Sequence, residues 1–136
     1  MIRQIEFELP ACTKGFHLVT SKIFSRLGPL PDKGLLHIFL KHTSAALAIN
    51  ENADPSVRSD LESYMEQLVP ESPSRYEHSL EGPDDMPAHI QSSLFGQSLT
   101  IPVTNGHPNL GTWQGIYLCE FRNDGGPRSL VVTVFG

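Results

Sequence analysis

The chain opens with "IRQIEFEL", in which Ile2, Gln4, Glu6 and Glu8 alternate with Arg3, Ile5, Phe7 and Leu9. That period of two predicts a half-buried strand, stopped at Pro10. "FHLVTSKIFSRLGPLP" predicts a short strand over 16–19 and a short helix over 21–27, ended by Gly28 and Pro29. "GLLHIFLKH" is almost continuously apolar from Leu35 to Leu40, the pattern of a central strand covered on both faces. "TSAALAIN" predicts another strand, which runs into the polar group Asn50, Glu51 and Asn52.

The clearest helix is "DPSVRSDLESYMEQLVP". Asp54 suits the N-cap, Pro55 suits the first helical position, and Val57, Leu61, Tyr64, Met65 and Leu68 form one apolar stripe. Pro70 ends it, and the chain is then polar and turn-rich over 71–82. A shorter helix is expected from Asp84 or Asp85 through Ile90 and Leu94 to Gly96. "SLTIPV" reads as a strand with Pro102 at an edge or bulge, and "TNGHPNLG" as a loop. "TWQGIYLCEF" and "SLVVTVF" flank "RNDGGPR", a hairpin signal. Six or seven strands with two inserted helices predict an α+β fold. Its mainly antiparallel sheet is expected to curl within one domain spanning 1–136.

Composition narrows the classes of function. No apolar run approaches the roughly 18 residues that a membrane span needs. Charges stand in "MIRQIEFELPACTKG" where a signal peptide would need an apolar segment, so a cytoplasmic protein is expected. Lys and Arg total 10 against 15 Asp and Glu, with no basic run, which argues against a nucleic-acid partner. Cys12 and Cys119 form no CxxC pattern, and Cys119 reads as a small core residue.

The chemistry-bearing residues cluster in a few strings. "YEHSLEGPDDMPAH" holds His78, Asp85 and His89. If Asp85 caps the second helix, His89 lies one turn further along on the same face, where the two can share a metal. A Gly-Pro turn can bring His78 back over the helix start. Imidazoles with carboxylates suit a divalent transition metal such as zinc, manganese or iron. In the site reading Glu77, Glu81 and Asp84 are solvated or capping groups; the plainer reading has Asp85 capping, the glutamates solvated and His89 packing. His42 ends the buried strand beside Thr43 and Ser44, while His37 reads as a core histidine. Trp113 in "GTWQG" reads as core or as a platform for a flat ring, and Glu120 as a pocket carboxylate or an exposed residue.

Taken together, "HTSAALAINENADP", "HSLEGPDDMPAHIQSSLFG", "LTIPVTNG" and "LGTWQGIYLCEFR" resemble the YjbQ-like family, also called the secondary thiamine-phosphate synthase family. The resemblance implies a compact α+β fold with a mixed sheet curled into a partial barrel, assembled as a homotrimer. It also implies an auxiliary thiamine-phosphate synthase activity, joining hydroxymethylpyrimidine diphosphate to thiazole phosphate with loss of pyrophosphate. The family's motifs fall on His42, Thr43, Ser44, Asn50, Glu51 and Asn52. They continue on His78, Asp85 and His89, then on Gly111, Thr112, Trp113, Gln114 and Glu120. Where the family often carries arginine and leucine after "NG", this chain has His107 and Pro108.

For such a reaction a divalent ion (zinc, manganese or magnesium) would take up charge on the leaving group. His42, His78 and His89 are its expected ligands or the general acid, with Asp85 or Glu51 able to hold the ion. Thr43 and Ser44 are expected to bond phosphate, and Trp113 or Tyr117 to stack on the pyrimidine. Asn50, Glu51, Asn52, Thr112, Gln114 and Glu120 complete the expected substrate contacts. The alternative is a trimer that binds a metal or small ligand without turnover.

Overall fold

The computed structural model describes residues 1–72 and 74–136. Strands β1 (Ile2–Leu9), β3 (Lys33–Leu40), β5 (Ser98–Thr104), β6 (His107–Pro108) and β8 (Arg128–Phe135) build a five-stranded sheet in the order β1-β8-β3-β5-β6. Strands β2 (Gly15–Leu18), β4 (Ala45–Glu51) and β7 (Gln114–Glu120) build a three-stranded sheet in the order β2-β7-β4. Every ladder is antiparallel, and one sheet is curled into a half-barrel. Helices α1 (Thr20–Phe24), α2 (Pro55–Leu68) and α3 (Asp85–Phe95) complete an α+β fold. The short α1 adds a third helix to the two that the apolar periodicity marks most clearly.

Two cores share the small sheet. Leu36, Ile38, Leu130 and Val132 of the large sheet meet Leu47, Ile116 and Leu118 of the small one. Ala46, Tyr117 and Cys119, on the reverse face of the small sheet, meet Met65, Val69 and Ala88. β7 is therefore buried at every position from Gly115 to Glu120. Alternate side chains of one strand serve opposite cores, which fixes its register, since a one-residue slip would exchange them.

The strand covered on both faces is thus β7, not β3. β3 is the middle strand of the large sheet, yet Leu35 and Phe39 are 46% and 45% exposed. His37 lies on that same uncovered face, in register with Thr100 and Thr133, and is not a core histidine. In α2, Met65 alone of the five stripe residues is buried, while Tyr64 and Leu68 face outward. Asp54 caps this helix as expected, accepting from the Ser56 amide at 2.9 Å.

β7 and β8 do not pair. Both edges of β7 are occupied by β2 and β4, and both edges of β8 by β1 and β3. The "RNDGGPR" turn instead carries the chain from one sheet to the other. "TNG" makes the tight connection: Asn105 and Gly106, at φ 53° and 77°, turn β5 directly into β6. No helix among the described residues is long and apolar enough to cross a membrane.

Candidate functional site

α3 carries two of the site's groups and is pinned to β4 by the Ser92 hydroxyl, which donates to the Ala45 carbonyl at 2.7 Å. One turn earlier, His89 Nδ1 donates to the Thr43 carbonyl at 2.9 Å. A carbonyl only accepts, so this contact fixes the proton on Nδ1 and leaves Nε2 to face Asp85. Asp85 starts the helix and is 1% exposed.

The two histidines converge on one oxygen. His78 Nε2 lies 2.6 Å, and His89 Nε2 3.1 Å, from Oδ2 of Asp85. The imidazole centroids are 5.3 Å apart, edge to face. One ligand atom from each of His78, Asp85 and His89 lies within 4.8 Å of the other two. With the His89 proton on Nδ1, its Nε2 lone pair would oppose the Asp85 oxygen unless a proton or a cation lies between them. Two neutral nitrogens and one carboxylate oxygen fit a divalent metal and leave coordination positions open.

Asp85 is not a helix cap. Its Oδ1 accepts from Arg122 Nη1 at 2.6 Å, and Oδ2 is taken by the histidines. Burial pushes its carboxyl up, but the His78 hydrogen bond and the charges of His89 and Arg122 outweigh this and hold it below the usual carboxylate range. Asp84 is buried, not solvated, and its side chain caps nothing. Its Oδ2 accepts from Arg122 Nε at 3.0 Å and from the Asn123 amide at 2.9 Å. Arg122 also donates to the Glu81 carbonyl at 3.2 Å, which ties the 78–84 loop over the site.

His42 stands outside this cluster. Its Nε2 accepts from the Ser129 amide at 2.7 Å, so that nitrogen is committed and the ring is neutral. Burial and then the Arg128 charge push its pKa down. His42 and His89 nevertheless line one groove of about 520 Å³, together with Phe39, Lys41, Thr43 and Ser93. Ser44 adds a backbone contact, its carbonyl accepting from Arg128 Nη2 at 3.3 Å.

Glu120 is fully buried and forked onto Arg128, with Nε to Oε1 at 2.7 Å and Nη2 to Oε2 at 2.5 Å. Its second oxygen also accepts from the Arg122 amide at 3.1 Å. A side chain at Gly125 would strike this pair, its Cβ falling 2.5 Å from Arg128 Nη2. The carboxylate is spent on the ion pair.

Asn50, Glu51, Asn52, Thr112, Trp113 and Gln114 lie at the other end of the small sheet. Ala45 faces Glu120 at the histidine end, whereas Glu51 faces Gln114. Six residue steps along β4 separate the ends by about 20 Å. Asn52 Nδ2 donates to the carbonyls of Thr112 and Gln114 at 3.1 and 3.2 Å, and its amide to that of Trp113 at 2.9 Å. Gln114 Oε1 accepts from the Gly111 amide at 2.8 Å. The Glu51 carboxylate accepts from the Asp54 amide at 3.0 Å, and its carbonyl from the Tyr117 hydroxyl. Trp113 is not core: it is 65% exposed at the tip of this turn. Cys119 is buried, and burial pushes its thiol far up.

The residues that sequence reasoning missed are Arg122 and Arg128. The sequence carries one faint signal, Arg122 standing two residues after Glu120, the spacing of one strand face.

Comparison with known proteins agrees with this architecture. The family model described as "UPF0047 protein YjbQ-like" matches residues 4–136. A UPF0047 protein YjbQ of Salmonella typhimurium is 52% identical over 125 residues, 90% of each chain. Its counterpart in Escherichia coli O157:H7 is 50% identical over 130 residues, 94% of each. A conserved hypothetical protein of Thermus thermophilus superposes with a TM-score of 0.84 at 33% identity, over 96% of this chain and 99% of that one.

Proposed function

This chain belongs to the YjbQ-like UPF0047 family, and from that premise we propose that it is a metal-dependent enzyme acting on a phosphorylated small molecule. Its best-named candidate reaction is the formation of thiamine phosphate from hydroxymethylpyrimidine diphosphate and thiazole phosphate. The observation that carries this reading is the convergence of His78, Asp85 and His89 within 4.8 Å. A divalent ion there (zinc, manganese or magnesium) would supply positive charge against the departing pyrophosphate.

The chain's own residues have separate tasks. The Thr43 carbonyl orients His89, and Arg122 holds the far oxygen of Asp85. The groove beside His89 offers the Thr43 and Ser93 hydroxyls and the Lys41 ammonium to an anionic substrate. His42, neutral and lining the same groove, is placed to hold or pass a proton through Nδ1. A homotrimer is part of the same proposal.

The second reading is a trimer that binds metal or a small ligand without turnover. Arg122 favours it, because a cation against Oδ1 leaves Asp85 one oxygen for the site. Pyrophosphate release from the two thiamine precursors separates the readings. An enzyme releases it with the native chain and loses it in His78→Ala and His89→Ala. A binder takes up the ion and releases none. Release that survives both substitutions contradicts the catalytic proposal.

A further inference from the structure

The His89 groove is lined mainly by groups that donate hydrogen bonds. Lys41, Thr43 and Ser93 carry donors, and His42 keeps its proton on Nδ1 because Nε2 accepts from the Ser129 amide. No carboxylate stands among the described residues that line it. Ser92 is already satisfied. Its hydroxyl donates to the Ala45 carbonyl and accepts from Gln97 Nε2, both at 2.7 Å.

Gln97 is the exception, and its amide cannot turn over. Nε2 donates at 2.9 Å to the Ser92 carbonyl, which only accepts, and also to the Ser92 hydroxyl, so both its hydrogens are committed. The Gln97 backbone carbonyl is taken by the Leu40 amide at 2.7 Å. No donor among the described residues reaches Gln97 Oε1. The one buried side-chain atom left unpartnered among them is Arg58 Nη1, so Oε1 is open to solvent. It is the one side-chain oxygen of the groove lining that accepts and never donates.

We propose that Gln97 sets the groove's specificity, its Oε1 receiving an amino group on the ring of a phosphorylated ligand. This rests on reading the groove as the seat of an anionic substrate, and it names that substrate's class: a phosphorylated ring with an exocyclic N–H donor. The anionic end takes the donors of Thr43, Ser93 and Lys41. Lys41 is paired with Glu6 at 3.1 Å, but both are about half exposed, and a pair of that kind holds its ammonium weakly. Half-exposed Phe39 offers the ring an aromatic surface, and about 520 Å³ takes one ring with its phosphoryl group. A locked acceptor discriminates in two ways. It holds a ring N–H and repels a ring oxygen set in the same place. A glutamine free to turn would meet that oxygen with its own N–H, and Ser92 removes the choice.

Three matched phosphonates test this by calorimetry, without turnover. They are 4-aminobenzylphosphonate, benzylphosphonate and 4-methylbenzylphosphonate, the last filling the amino group's volume without a donor. The native chain is expected to bind the amino probe about tenfold more tightly than the other two. Gln97→Met, which keeps the length and loses the oxygen, should bind all three alike. Ser93→Ala should weaken all three together and keep the preference. Equal binding of the three by the native chain, binding of none, or a preference that survives Gln97→Met would overturn the assignment. Loss of the preference with pyrophosphate release intact overturns this inference alone. Release that survives His78→Ala and His89→Ala, with the preference intact, overturns the catalytic proposal alone.

Discussion

Arg122 donates through Nη1 to Oδ1 of Asp85 at 2.6 Å, the oxygen that the two histidines leave free. Its Nε simultaneously holds Asp84. One side chain thereby fixes both carboxylates at the start of α3. Groups that orient metal ligands typically change affinity about 10–100-fold when removed. Arg122→Gln is therefore expected to weaken zinc binding by about that factor, with Arg122→Lys recovering part of it. Competition titration with a chromogenic chelator measures both. Equal affinity in the native chain and Arg122→Gln would make the arginine irrelevant to the site.

The Glu120–Arg128 fork is a structural pair. Both side chains are buried, at 0% and 4% exposure, so removing either partner leaves an uncompensated charge. Glu120→Gln and Arg128→Met should each destabilise the chain by about 3–5 kcal/mol. The double variant should lose clearly less than the sum of the two. Urea unfolding of the four proteins measures this. Near-additive losses would show that the two groups act independently.

How far the sequence foretold this site depends on the distance between partners. Asp85 and His89 were legible because four residues on a helix share a face, and His78 because a Gly-Pro turn precedes that helix. Arg122 was not, since it joins Asp85 from 37 positions away in sequence, through the bend that follows β7. The same limit hid Arg128 and made Glu120 look like a pocket carboxylate. β7 and β8 resembled a hairpin because their connection is rich in turn residues, but competition for strand edges is not local information. Trp113 looked like core because it precedes the buried alternation of Tyr117, Cys119 and Phe121. The turn that displays it is held by Asn52, 61 positions earlier.

His42 should make stability depend on pH. Its folded pKa lies below the ordinary 6.5, through burial and then Arg128. The unfolded chain therefore binds the proton first as pH falls, so stability rises with pH through this window. The contribution is complete above about 6.5 and is lost as pH falls through the depressed folded value. His42→Gln, which cannot titrate, should show a flatter stability profile between neutral and mildly acidic pH. Parallel profiles for the two proteins would rule this out.

Asn52 holds the Trp113 turn through two side-chain bonds. Asn52→Ala should leave the cores intact, since the side chain is exposed and belongs to neither. It should, however, loosen the turn: the fluorescence anisotropy of Trp113 falls and acrylamide quenching steepens. Unchanged quenching and anisotropy would show that the turn is held by other means.

Metal content tests the central claim most directly. Chain purified without a histidine tag, stripped with chelator and reloaded with zinc or manganese, is expected to retain one ion per chain. His78→Ala, Asp85→Asn and His89→Ala should each lose it. His42→Ala should keep it, because His42 Nε2 is committed to the Ser129 amide and lies outside the cluster. Retention that is negligible in the native chain, or equal across the three cluster variants, would contradict a metal centre at His78, Asp85 and His89.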